Sequence, residues 1–115
     1  MITDTEVKKI LPSGLKIILD GRYNLPTDEE VSLKVRDFIA LRGNFVYVED
    51  SHDCDNAAVE MLAYFSGSGW AVGVAILEGH SAILYINKDK KLKFIEPQTG
   101  EIFKPTTRLK ITVII

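Results

Sequence analysis

Between residues 66 and 70 the apolar pattern of this chain changes period. Before that point apolar residues recur at helical spacing: Val31, Val35, Phe38 and Ile39, then Ala57, Ala58, Met61, Leu62 and Phe65. After it they fall into short runs, WAVGVAIL at 70–77, HSAILYIN at 80–87, KLKFIE at 91–96 and RLKITVII at 108–115. Runs of that length, rich in β-branched and aromatic residues and bounded by turn formers, read as strands. Helices first and strands second predict an α+β fold, with N-terminal helices over about 1–66 packed on an antiparallel sheet over about 70–115. A chain of 115 residues has room for one domain.

Local signals place the elements more closely. Residues 3–11 form a short helix, capped by Thr3 or Asp4 and stopped by Pro12-Ser13-Gly14. Residues 15–19 form a short strand, and Asp20-Gly21 turns the chain. Thr27-Asp28-Glu29-Glu30 is a capping box behind Pro26, which predicts a helix over about 28–41 ending near Gly43. Phe45 to Val48 is a short apolar piece. A further helix starts at Ser51 or Asp53, both good caps, and ends at Ser66-Gly67-Ser68-Gly69. Residues 101–103 read as one more strand.

Charge narrows the function classes. The net charge is -2, with 14 basic and 16 acidic residues intermixed, so no basic stripe exists to neutralise nucleic-acid phosphates. The local excess at Lys88, Lys90, Lys91 and Lys93 surrounds a predicted hairpin turn and reads as a solvated face. The hydrophobic fraction, 46%, is enough for a core. One cysteine excludes an internal disulfide and suits a reducing compartment, so a cytoplasmic protein is expected. Asp4 and Glu6 argue against a signal peptide, and no apolar run has the ~18 residues of a membrane span. The apolar segment 111–115 reads as an edge strand able to pair with a second copy, giving a homodimer.

Candidate chemistry centres on Cys54, His80 and Glu96. Cys54 opens the second long helix, where unsatisfied N–H groups and the macrodipole favour a thiolate. It shares the face of Ala57 and Ala58, which turns toward the sheet. His80 begins a strand after Gly79 and shares the face of Ala82, Leu84 and Ile86. Histidine is the usual base for a cysteine nucleophile. A three-residue turn in the following hairpin sets residue 82 opposite 96 and residue 80 opposite 98. Glu96 and Gln98 then lie on the face of His80 and orient the imidazole. A two-residue turn shifts the register and sends Glu96 to the other face.

The surroundings of Cys54 allow a second use. Asp50, Asp53, Asp55 and Glu96 offer hard oxygen ligands for Ca²⁺ or Mn²⁺, with Asp53 and Asp55 the nearest to the thiol in sequence. Adding His52, Cys54 and His80 would make a zinc set, although no zinc-binding spacing is present. Glu49, Asp50, Asp53 and Asp55 crowd the thiol and oppose its ionisation. An oxyanion would take a hydrogen bond from Tyr47 or the backbone N–H of Cys54, because the one glutamine, Gln98, lies after the cysteine.

Asp53-Cys54-Asp55-Asn56-Ala57-Ala58, Gly79-His80-Ser81-Ala82 and Phe94-Ile95-Glu96-Pro97-Gln98-Thr99-Gly100 together resemble the cysteine-protease-like domain appended to a mushroom chimeric lectin, and related small proteins of phages and bacteria. The likeness spans about 47–103. It implies a minimal papain-like fold acting on a peptide or amide substrate. Cys54 would be the nucleophile, His80 the base and Glu96 the orienter, with divalent-metal dependence. The bond cleavage itself requires no cofactor. The alternative is a binding or structural module of the same fold.

Overall fold

Each long element begins with a reciprocal cap. The structure, a computed structural model, describes residues 1–12, 14–49, 51, 53–77, 79–104 and 112–115. Thr3 and Glu6 cap α1 (Asp4–Ile10), Thr27 and Glu30 cap α2 (Asp28–Arg42), and Asp53 and Asn56 cap α3 (Cys54–Phe65). In each box the cap side chain accepts a backbone N–H that has no partner inside the helix. Gly43 ends α2 with a positive φ of 73°, and a 3₁₀ turn at Ser66–Ser68 ends α3.

The strands are β1 (Ile2–Thr3), β2 (Lys16–Ile17), β3 (Arg22–Tyr23), β4 (Val72–Leu77), β5 (His80–Ile86), β6 (Leu92–Ile95), β7 (Ile102–Phe103) and β8 (Thr112–Ile114). β1 and β3 form a small antiparallel pair. The other six form one sheet in the order β2-β8-β4-β5-β6-β7. The fold is therefore α+β, with two departures from expectation. The sheet is mixed, because β2 runs parallel to β8. And β8 is not an edge: it pairs with β2 on one side and with Val74 to Ile76 of β4 on the other. The strand expected to bind a second copy has its described backbone edges already occupied, while Ile111 lies outside the described residues.

The β5–β6 hairpin takes the three-residue turn. Asn87 N–H bonds the Lys91 carbonyl, Lys90 N–H bonds the Asn87 carbonyl, and Lys90 has φ 59°. The Asn87 side chain accepts the N–H groups of Asp89 and Lys91 at 3.0 Å each. A left-handed residue closing such a loop is usual for this hairpin class. The register pairs Ile83 with Ile95 and Leu84 with Phe94, which sets Ala82 opposite Glu96.

Both faces of the sheet are buried. Leu84, Ile86 and Phe94 pack with Ile2, Val7 and Leu11 on the α1 side. Ile83, Tyr85 and Ile95 pack with Val31, Val35, Ala58 and Met61 on the α2 and α3 side. Burying each such side chain contributes about 1.5–3 kcal/mol, which makes this double core the main stabilising term. Among the described residues no helix is long and apolar enough to cross a membrane.

Candidate active site

Glu96 follows β6 directly and His80 opens β5. Their side chains meet, with His80 Nε2 2.6 Å from Glu96 Oε2. The imidazole is 35% exposed and the carboxylate 22%. The other oxygen, Glu96 Oε1, accepts the Gln98 N–H at 3.1 Å. An ionised carboxylate only accepts, so Nε2 donates the hydrogen in this contact. Gln98 thus acts through its backbone: its N–H steadies Glu96, and its carbonyl accepts from Arg42 Nη2 at 2.8 Å.

The turn that carries Glu96 is closed by two backbone bonds, Glu96 N–H to Glu101 O at 2.8 Å and Gly100 N–H to Glu96 O at 2.7 Å. Gly100 has φ 80°, and a Cβ there would lie 2.8 Å from Val35 Cγ1 and 3.2 Å from Ile39 Cγ1. Only glycine lets the turn press so closely on α2. An open groove of about 460 Å³ lies along this contact, lined by Ser32, Val35, Ile39, Thr99, Gly100 and Ile102. Neither Cys54 nor His80 lines it.

Cys54 is the first residue of α3 and is partly buried. Its Sγ lies 3.9 Å from Asp55 Oδ1. That same oxygen accepts the hydroxyl of Ser81, which is 2% exposed and stands next to His80 on β5. Asp55 therefore ties the start of α3 to the start of β5. Among the described residues no hydrogen bond joins Cys54 to His80.

The two-faced sheet accounts for that separation. Successive strand residues face opposite sides. Ser81, Ile83 and Tyr85 look toward α2 and α3, whereas Leu84 and Ile86 look toward α1. By that alternation His80 shares the α1-side face, opposite Leu77 across β4. The core that His80 borders is thus not the one on which α3 packs. The structure brings His80, Glu96 and Gln98 together and leaves Cys54 joined to them through Asp55 and Ser81.

The remaining candidates are dispersed. Tyr47 is 54% exposed in the segment between α2 and α3. Asp53 Oδ1 caps α3 by accepting the Asp55 N–H at 3.3 Å. Asp53 Oδ1 and Asp55 Oδ1 are both engaged, in the helix cap and with Ser81. Among the described residues no group of three or more His, Cys, Asp or Glu is placed to hold a metal ion. Asp50 and His52 lie outside the described residues.

Two groups that sequence reasoning did not single out hold α2 against the hairpin. At its first residue, Asp28 accepts Tyr85 Oη at 2.8 Å, Asn87 Nδ2 at 3.2 Å and the Lys93 ammonium. Burial raises Asp28, but the Lys93 ammonium and the Tyr85 and Asn87 donors outweigh it and hold the carboxyl below its ordinary value. Burial first, and then Asp28, push the Tyr85 phenol well above its usual range. At its last residue, Arg42 donates to the Pro97 and Gln98 carbonyls. The sequence signal for Asp28 was the capping box itself, which places an acid at the first helical position. Arg42 carried no signal beyond a cation near a helix C-terminus.

No protein-family model matches the chain, and no curated protein matches it. Among solved structures, 99% of the chain is similar to the PSL1a-E64 complex, at a TM-score of 0.81 and 14% identity. Over 89% of its length it is similar to Polyporus squamosus lectin bound to the human-type influenza-binding epitope Neu5Aca2-6Galb1-4GlcNAc, at a TM-score of 0.65 and 14% identity. The chain spans about half the length of these solved chains, 51% and 42%. At this identity the likeness is one of fold.

Proposed function

We propose that this chain is a minimal papain-like cysteine hydrolase that cleaves a peptide or amide bond. The observation that carries the reading is the His80 Nε2 to Glu96 Oε2 contact of 2.6 Å, on a sheet whose neighbouring helix begins with Cys54. Similarity of fold to a solved E64 complex supports it.

In this reading Glu96 holds the Nε2–H tautomer, so that Nδ1 faces the reaction. The Cys54 S–H gives its proton to Nδ1, and the thiolate attacks the carbonyl carbon. The backbone N–H of Cys54, with Tyr47, supplies donors for the oxyanion. The C–N bond then breaks as His80 returns the proton to the leaving nitrogen. Water loses a proton to Nδ1, attacks the thioester, and releases the acid and the restored thiol. His80 emerges on the face of β5 away from α3, so the transfer requires its ring to reach round the first residue of the strand to Cys54; catalytic hydrogen bonds are often long without substrate and tighten once it binds.

A second reading is a binding module of the same fold whose Cys–His–Glu set is inert. The 3.9 Å contact between the Cys54 thiol and Asp55 favours it, because it engages the S–H with an acceptor other than His80.

Iodoacetamide alkylation of Cys54 against pH separates the two. The hydrolase reading expects fast alkylation well below the free-thiol value of ~8.5, lost in His80→Ala, together with a mass increase at Cys54 on incubation with E64, an epoxide that alkylates nucleophilic thiols. Repeating the series with Ca²⁺ and Mn²⁺ tests whether Asp53 and Asp55 take a cation that offsets the local negative charge. Slow alkylation indifferent to His80, with or without cation, would leave only the binding module.

A further inference from the structure

We infer that Arg42, at the far end of α2, is the positioning residue that fixes Glu96 and through it the tautomer of His80. The inference rests on the His80–Glu96 reading above, but its test does not require hydrolytic activity.

The chain of contacts is short and has no slack. Arg42 Nη1 donates to Pro97 O at 2.6 Å and Nη2 to Gln98 O at 2.8 Å. Two donors of one planar group on two successive carbonyls hold the backbone between them in a single orientation. That backbone includes the Gln98 N–H, which bonds Glu96 Oε1 at 3.1 Å. With Oε1 held, Oε2 is directed at His80 Nε2. A carboxylate on a turn has free rotation about its side-chain bonds, and this bond removes it.

Arg42 is itself held. Its guanidinium lies over the rings of Phe38, at 5.1 Å, and Phe45, at 5.2 Å. The buried Nε has no hydrogen-bond partner among the described residues. The group therefore accepts an unsatisfied donor in order to present both Nη atoms to the turn. A solvated helix-end arginine, the ordinary fate of a cation at this position, would have neither feature. The opposite end of α2 is pinned to the same hairpin by Asp28, so α2 cannot tilt to follow the turn if it shifts.

Lysine cannot replace this geometry, because a single ammonium is a point donor on a flexible stem. The test is the long-range ¹H–¹⁵N NMR spectrum of the His80 ring in wild type, Arg42→Lys, Arg42→Met and Glu96→Ala, with His80→Ala to assign the signals and circular dichroism to establish folding. In wild type the ring is expected in the Nε2–H form. In Glu96→Ala it becomes a mixture of tautomers. Both Arg42 variants are expected to move most of the way to that mixture while staying folded, and to slow Cys54 alkylation by the same factor as Glu96→Ala. A merely structural arginine would lower the melting temperature and leave the tautomer alone. Retention of the wild-type tautomer in whichever Arg42 variant is folded overturns the proposal. A wild-type thiol that is slow and indifferent to His80 would instead sink the hydrolase reading, with the tautomer result still standing on its own.

Discussion

The carboxylate of Asp55 accepts the hydroxyl of Ser81 and lies 3.9 Å from the thiol of Cys54. One oxygen therefore serves both the first turn of α3 and the first turn's neighbour on β5. As an acceptor for Ser81 it fixes the helix start against the sheet. As an acceptor for the thiol it engages the S–H that a nucleophile must release.

The sharing of one oxygen predicts a split outcome for Asp55→Asn. The amide keeps an acceptor for Ser81 and removes the charge. Cys54 alkylation at neutral pH is expected to rise several-fold, with thermal stability nearly unchanged. The rate at fixed reagent concentration, beside a melting curve, checks it. An alkylation rate equal to wild type would show that this carboxylate does not govern the thiol.

Removing one partner or the other from the Asp55–Ser81 bond should not cost the same. Ser81 is 2% exposed, so Asp55→Ala strands a buried hydroxyl, at about 1–3 kcal/mol. Ser81→Ala removes the buried group and leaves a solvent-facing carboxylate, at about 0.5–1.5 kcal/mol. Urea unfolding of the two variants tests the order, and a reversed order would mean that the Asp55 charge, not the bond, dominates.

Gly100→Ala is expected to be the most damaging single-methyl change near the site. The new Cβ would sit 2.8 Å from Val35 Cγ1 on a residue with φ 80°. Overpacking and left-handed strain together predict a loss of about 2–5 kcal/mol, with the His80–Glu96 contact disturbed as the turn lifts from α2. A chemical-denaturation midpoint within error of wild type would contradict the close packing of turn and helix.

The Asp28 cluster gives a pH dependence with a definite sign. Its carboxyl is held below its ordinary value of 3.8, so the folded state prefers the ionised form. The stability this provides is present above that value and is lost as pH falls through the lower folded one. The side chain is 43% exposed, which limits the effect to under about 1 kcal/mol. The difference in melting temperature between wild type and Asp28→Asn should therefore shrink on acidification from pH ~5 toward pH ~2. A constant difference across that range would assign Asp28 no linked proton.

The helix starts were legible because a capping box is a local code. Thr27 and Glu30 marked α2 to the residue, and Asp53, rather than the alternative Ser51, proved to cap α3. The register that brings Glu96 to His80 was half legible. The lysine-rich turn contains no glycine, so nothing in it announces that Lys90 takes a positive φ and makes the loop three residues long. Burial on both faces of β5 was the harder matter. Leu84 and Ile86 looked like the core face, but Ile83 and Tyr85 are equally buried, because a strand covered on both sides reads as a continuous apolar run. Hence the side on which His80 emerges could not be matched to the side of α3. Arg42 was invisible for a different reason: its partners are two carbonyls more than fifty positions away.

The placement of β8 has a consequence for the order in which the sheet closes. Tyr23 bonds the Ile115 carbonyl across 92 positions, and among the described residues β2 pairs with nothing in the main sheet except β8. Until Thr112–Ile114 dock, one side of β4 is a bare row of N–H and C=O groups and Lys16–Ile17 waits without a neighbour. Contacts between segments so distant in sequence form late, because loop closure costs entropy. Bare edges template association with other chains. The local hairpin of His80 and Glu96 and protection from aggregation are thus acquired at different stages of folding.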